Sequence, residues 1–261
     1  MPFRKKGRNR KKSSAMQKRV NKLEKQIIPV LKTFEQRQFD YWTPAATGYD
    51  GEPLSWGTPI VYTLAELMPT YQDGAAANFQ TGKVRLGDKV TLKSLRIRGE
   101  VRAATSTSTA AEQTNIVRLI LVRFPDDIIS LTNAEIVSAV LQQYPTVTGT
   151  SISTLTSMYS QYKNVLEQGH NELPLHRYEV LYDKIQRLSN PSPNKNRLGS
   201  ETFRAGFDIK KMFKKGLVCQ YGKYNVAAPT LNNMALICLS DSNISPHPDI
   251  SFTSRFKYMD A

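Results

Sequence analysis

Apolar and polar residues alternate along most of this chain with a period of two. In 176–189, HRYEVLYDKIQRLS, Tyr178, Val180 and Tyr182 fall on one side and Glu179, Leu181, Asp183 and Ile185 on the other. That is the spacing of a strand with two unlike faces. The stretch 115–124, NIVRLILVRF, is almost continuously apolar, as expected of a central strand covered on both sides. Between them lies 131–141, with Thr132 or Asn133 as an N-cap ahead of Glu135 and Ile136, which predicts a short helix in an inter-strand loop. In 90–101 the parity is broken. Val90 and Leu92 share a side with Arg96 and Arg98, whereas Leu95, Ile97 and Val101 take the other, so one face of this strand reads as half wet.

Further strands are predicted from Thr202 to Ile209, Val218 to Tyr221, Asn233 to Leu239 and Ile250 to Tyr258, with a short strand or helical turn over Ile60 to Leu67. Residues 39–83 are otherwise aromatic and loop-like, 103–113 and 190–201 read as polar connections, and 146–160 reads as a loop or weak strand. About eight strands with long, uneven loops and no alternation with helices disfavour a parallel α/β fold and predict an all-β, eight-stranded antiparallel jelly-roll sandwich. Strand order is not encoded in alternation, and other eight-strand sandwiches share the pattern. The expected division is a basic arm and amphipathic helix over 1–28, an extended aromatic segment over 29–83 that joins the body, and a shell-like β domain over 84–261.

The period changes at the N-terminus. Ser14 and Gln17 fit a capping box, and Met16, Val20, Leu23 and Ile27 recur along one face of a helix that Pro29 ends. So short a helix is marginal alone, and its apolar stripe calls for a partner, either the chain's own core or the same helix in neighbouring copies.

Charge sharpens this picture. The 261 residues carry 36 Lys and Arg against 22 Asp and Glu, a net +14. Residues 1–25 hold 11 of the cations and one Glu, a net of +10, which leaves 25 basic and 21 acidic residues from Gln26 onward. A flexible basic arm neutralises phosphates and releases counterions, giving salt-dependent binding without sequence preference. The candidate contacts are Arg4, Lys5, Lys6, Arg8, Arg10, Lys11 and Lys12, continued by Lys18, Arg19 and Lys22. The 5–12 tract also suits nuclear import. Arg96, Arg98 and Arg118, at alternating strand positions, are weaker phosphate candidates that could equally pair with Glu100 and Glu179.

Catalytic and metal chemistry find little footing. His170, His176 and His247 have no partner at metal-binding spacing, Gly199-Ser200 lacks a nucleophile-elbow frame, and no phosphate-binding glycine loop is present. Cys219 and Cys238 read as ordinary thiols rather than a disulfide or zinc pair. Asp126, Asp127 and Asp241 could ligate calcium on loops, but as turn residues that end strands they need no ion. Tyr41, Trp42, Trp56, Tyr62 and Tyr71 cluster without interleaved cations, which favours burial or interface packing over base stacking. No cofactor, metal or enzymatic activity is expected. No apolar run is long enough to span a membrane, and the basic start is not followed by a signal segment, which argues against secretion.

The arm FRKKGRNRKK, the strands LRIRGEV and NIVRLILVRFPDD, and the later YEVLYDKIQRL and FRAGFDIKK follow one another between residues 3 and 211. In this order they resemble the capsid proteins of small icosahedral viruses, especially circular single-stranded DNA viruses related to circoviruses. The resemblance implies a jelly-roll subunit that self-assembles into a closed icosahedral shell, 60 copies (T=1) or a multiple, with the arm cations on a packaged single-stranded genome. It further implies residence in the virion, with a passage through the host nucleus and its import machinery if the genome is DNA. The arm is richer in lysine than is usual for that group, so an RNA-virus capsid is the first alternative. A non-capsid nucleic-acid-binding β-sandwich is the second, and it predicts basic charge spread over a face of the folded body.

Overall fold

The computed structural model describes residues 16, 18–23, 36–43, 51–56, 58–68, 88–103, 114–141, 162, 177–189, 203–222, 228–243 and 245–260, with backbone alone for 36–43 and 260. The chain divides into two compact units, Met1–Gln36 and Arg37–Ala261. In the first, residues 16 and 18–23 are helical (α1).

The second unit is built on strands β1 (Gln36–Thr43), β2 (Glu52–Pro53), β3 (Ile60–Thr63), β4 (Lys89–Arg102), β5 (Thr114–Phe124), β6 (Glu179–Ser189), β7 (Arg204–Gln220), β8 (Asn233–Ser240) and β9 (Asp249–Asp260). Two short helices, α2 (Leu64–Leu67) and α3 (Asn133–Val140), accompany them. One sheet runs β1-β9-β4-β7, with the short β2 also on β9, and the other runs β3-β8-β5-β6. The pairs β1·β9, β3·β8, β4·β7 and β5·β6 are nested about the β5–β6 connection. That nesting describes one long ribbon of paired strands, which closes on itself where β9 meets β4 and β8 meets β5. Rolled in this way the ribbon is a jelly roll: eight main strands in two antiparallel sheets.

The hydrophobic pattern explains which face goes where. In β5, Leu119 and Leu121 point between the sheets, whereas Ile120, Val122 and Phe124 point out to a second apolar cluster. In β8, Leu236 and Cys238 face in, while Ala235, Ile237 and Leu239 face out. The outer cluster is completed by Ile136, Val137 and Val140 of α3. The β3-β8-β5-β6 sheet is therefore covered on both sides, which is why its central strands read as continuous apolar runs. Each such side chain contributes about 1.5–3 kcal/mol by leaving water. Helix α3 begins as expected: Thr132 donates to Glu135 from its amide and its hydroxyl at 2.7 and 2.8 Å, and the Glu135 amide donates back to the Thr132 hydroxyl at 3.3 Å.

Among the described residues the other sheet is covered on one side. Leu95, Ile97 and Val101 of β4 and Phe252, Phe256 and Tyr258 of β9 fill the space between the sheets. The parity break in β4 is resolved by a bulge: the register shifts between Leu92 and Ser94 against both neighbours, so Val90 and Leu92 face the core as well. The half-wet reading of this strand is thereby corrected. On β7 the same irregularity spans residues between Met212 and Leu217 and includes Gly216 at φ +79°, a conformation only glycine adopts cheaply. The stretches expected as separate strands at 202–209 and 218–221 are thus one strand, and the eighth main strand is β1, where a loop was expected.

Candidate nucleic-acid interface

Of the arm cations, Lys18, Arg19 and Lys22 lie on α1 and are exposed, whereas Arg4, Lys5, Lys6, Arg8, Arg10, Lys11 and Lys12 fall outside the described residues. Lys18 and Lys22 are four apart and share a side of the helix turned from Met16, Val20 and Leu23. Those three apolar residues are themselves exposed; Ile27 lies outside the described residues.

A second group of cations emerges only once the strands are paired. At the centre of the one-sided sheet, β4 lies between β7 and β9. Three successive outward rungs read Lys257, Ser94, Met212; then Arg255, Arg96, Lys210; then Thr253, Arg98, Asp208. With strands about 4.8 Å apart and two residues between rungs, this grid spans roughly 10 by 14 Å. It holds five cations and one carboxylate, all exposed. Its net +4 equals the net charge of everything from Gln26 onward, 25 basic against 21 acidic residues, so the rest of the body sums to zero. The middle rung places three cationic side chains side by side, the unfavourable arrangement for cross-strand neighbours.

The single carboxylate is committed. Arg96 donates from Nε and Nη2 to the two oxygens of Asp208 at 2.9 and 2.6 Å. Those bonds, slightly opposed by burial and helped by the charges of Arg96, Arg98 and Lys210, hold the Asp208 carboxyl below the usual carboxylate range. Beside the grid, Gly206 leaves a shallow hollow of about 540 Å³ whose walls include Arg98, Glu100, Asp208 and Thr253. A Cβ at Gly206 would meet nothing closer than the Gly99 carbonyl at 3.9 Å.

Arg118 does not belong to this surface. It lies on β5 of the other sheet, 6% exposed, and donates from Nε and Nη2 to Asp183 at 2.9 and 2.7 Å. Tyr162 donates its hydroxyl to the same carboxylate at 2.6 Å, and its ring lies 5.4 Å from the Arg118 guanidinium carbon. Burial opposes ionisation of Asp183, but the hydrogen bonds from Arg118 and Tyr162 outweigh it and hold the carboxyl low. The expectation that Arg118 touches phosphate is corrected accordingly. The partners offered for these arginines also differ: Glu100 lies 3.6 Å from Arg102, and Glu179 lies 2.9 Å from Arg123.

The remaining candidates have structural work. Asp126 pairs with Arg177, Asp127 accepts the Ile129 amide, and Asp241 accepts the Ile116 amide. Among the described residues no three His, Cys, Asp or Glu side chains gather as metal ligands would. His247 meets the Ser242 hydroxyl through Nδ1 at 3.0 Å, whereas His170 and His176 lie outside the described residues. Cys219 and Cys238 are both buried free thiols; burial pushes Cys219 up to about 12 and raises Cys238 further. Tyr62 is buried and Trp56 exposed. Tyr41 and Trp42 lie on β1, and Tyr71 lies outside the described residues. No described helix is long and apolar enough to cross a membrane.

Lys210, Arg255 and Lys257 were not anticipated from sequence. The signal was present as cations alternating with aromatics in SRFKY, 254–258, and as Lys210 two positions after Asp208. What was missing was the strand order that brings them beside Arg96 and Arg98.

No protein-family model matches the chain, and no curated protein matches it. Among solved structures, the chain is similar to one of Desmodium yellow mottle tymovirus, 8% identical over 87% of each chain with a TM-score of 0.32. It is also similar to one of infectious bursal disease virus, Gx strain, 10% identical over 87% of this chain and 34% of that one, with a TM-score of 0.23. At those scores the jelly-roll assignment rests on the strand order described above. The expected kinship with circular single-stranded DNA viruses is corrected by these findings: the two matched structures come from a tymovirus and a birnavirus, both RNA viruses. The reading as a single-stranded DNA virus capsid is withdrawn with it, and the nuclear stage was tied to that reading.

Proposed function

We propose that this chain is a coat subunit of the RNA-virus kind, which self-assembles into a closed icosahedral shell and holds single-stranded RNA through the cations of its N-terminal arm. The observation that carries the reading is the nested β1·β9, β3·β8, β4·β7, β5·β6 ribbon joined to an arm of net +10. A rigid sandwich offers fixed edges and loops for symmetric contacts, which close only when the symmetry closes. Many arms on one inner wall turn weak phosphate contacts into strong collective binding. In this reading Arg4, Lys5, Lys6, Arg8, Arg10, Lys11 and Lys12 are the main phosphate ligands, and Lys18, Arg19 and Lys22 extend them along α1. The assembled particle is then the site of residence.

The cationic grid favours a second reading, a β-sandwich that coats nucleic acid without enclosing it, because such a protein carries charge on its folded body as well as its tail. Assembly separates the two. The protein is purified at high salt, dialysed to low salt with and without single-stranded RNA, and followed by electron microscopy and size-exclusion chromatography. Closed particles of uniform diameter, which lose their RNA when residues 1–12 are deleted, are the expected result. Monomers or dimers that bind RNA but never close, across salt and pH, overturn the coat reading and leave the second.

A further inference from the structure

We infer that the outward face of the β9-β4-β7 sheet is a second binding surface for single-stranded RNA, which tracks the sugar-phosphate backbone through Arg98, Lys210, Arg255 and Lys257, with Arg96 held in place by Asp208. The choice of RNA as occupant rests on the coat reading; the electrostatic argument does not. Three observations converge on it.

The face is open. Met212, at the edge of the grid, is 66% exposed, and among the described residues α3 and the outer apolar cluster dress the opposite sheet instead. The face is also unbalanced, for its one carboxylate already receives both its short bonds from Arg96. Finally, the Arg255–Arg96–Lys210 rung sets like charges opposite one another at the centre of that strip. A polyanion laid along the strip offsets that repulsion and releases its own counterions. No aromatic side chain stands on the nine grid positions, so the surface has no platform for bases and reads backbone charge alone.

The test uses the full-length chain, kept unassembled at the upper end of a salt series, and a fluorescein-labelled oligouridylate of about 20 nucleotides read by anisotropy. The variant R98Q/K210Q/R255Q/K257Q keeps the Arg96–Asp208 pair. Each lost phosphate contact lowers the slope of log K against log salt by about 0.7, so the variant's slope is expected to fall by up to about 3, with affinity at 0.1 M salt weaker by at least about 10-fold. A footprint on the unmodified protein supplies an independent reading, since bound RNA is expected to shield Lys210 and Lys257 from acetylation. Should the variant misfold, that footprint decides.

An unchanged slope with both lysines equally acetylated overturns the inference. So does a face that ignores RNA and captures anionic lipid vesicles, or one that is shielded only when subunits associate. Electron microscopy of the same preparations separates this result from the fate of the coat reading. Shells with an unchanged slope sink the sheet surface alone, whereas a reduced slope in a protein that never forms shells leaves the surface standing and removes the coat.

Discussion

The buried Arg118–Asp183 pair makes a strong quantitative prediction. Replacing Asp183 with Asn preserves shape and removes the charge that holds a 6%-exposed guanidinium. Breaking a buried ion pair from one side costs about 3–5 kcal/mol because the surviving charge is left uncompensated. The Asp183 side chain is 29% exposed, so water reaches the survivor and the expected loss lies nearer 2–3 kcal/mol. The Tyr162 hydroxyl, at 2.6 Å, also loses its ionised acceptor. The double variant R118M/D183L removes both charges into an apolar setting and is expected to recover to within about 1 kcal/mol of the native chain. Urea unfolding of dissociated subunits, at constant m, measures all three. The pH dependence has a definite sign. Because the folded Asp183 carboxyl lies below its unfolded value of about 3.9, its contribution is present above that value and is lost as pH falls through the folded one. The gap between native protein and D183N therefore closes in acid. A D183N loss under about 0.5 kcal/mol, or a double variant no more stable than D183N, refutes this account.

Three glycine substitutions and one thiol reaction test the fold further. At Gly99 a Cβ would run into the Ser251 carbonyl oxygen and Phe252, whereas Gly206 is open; Gly99→Ala is expected to cost about 3 kcal/mol and Gly206→Ala less than about 0.5, both by urea midpoint, and equal effects would contradict the packing. Gly216→Ala, at φ +79° and with Thr91 Cγ2 2.5 Å from the added carbon, is expected to lose about 1–3 kcal/mol by the same measurement. Cys219 and Cys238 should resist a disulfide-exchange reagent at pH 8 until urea unfolds the chain, and prompt labelling of two thiols in native protein would show that the burial is wrong.

Much of the fold is readable from residue order because burial imposes it. NIVRLILVRF had to be covered on two sides, and Thr132 with Glu135 had to start a helix. The errors share a cause. Lys214-Lys215-Gly216 looks like a break, yet β7 runs through it, because a positive φ lets the strand absorb extra residues without leaving the ladder. QRQFDYWT mixes charge with aromatics and alternates only over four residues, Gln38 to Tyr41, so β1 was not read as a strand until β9 paired with it. The Arg118 role failed for a longer-range reason: Asp183 is 65 residues away, and only the β5–β6 register sets Arg118 opposite Ile185 and brings its side chain within reach of Asp183.

The two sheets differ in a way that bears on function before any partner is named. A sheet covered on both faces spends its outward positions on apolar residues, as β5 and β8 do, and keeps no room for exposed charge. A sheet covered on one face must fill every second position with something water tolerates, and here β4, β7 and β9 fill the central rungs with five arginines and lysines and one carboxylate, Asp208. Solubility alone asks only for mixed signs. Gathering five cations and one carboxylate on nine positions of one face has an electrostatic cost that a bound polyanion would offset, which is what the RNA-binding proposal requires.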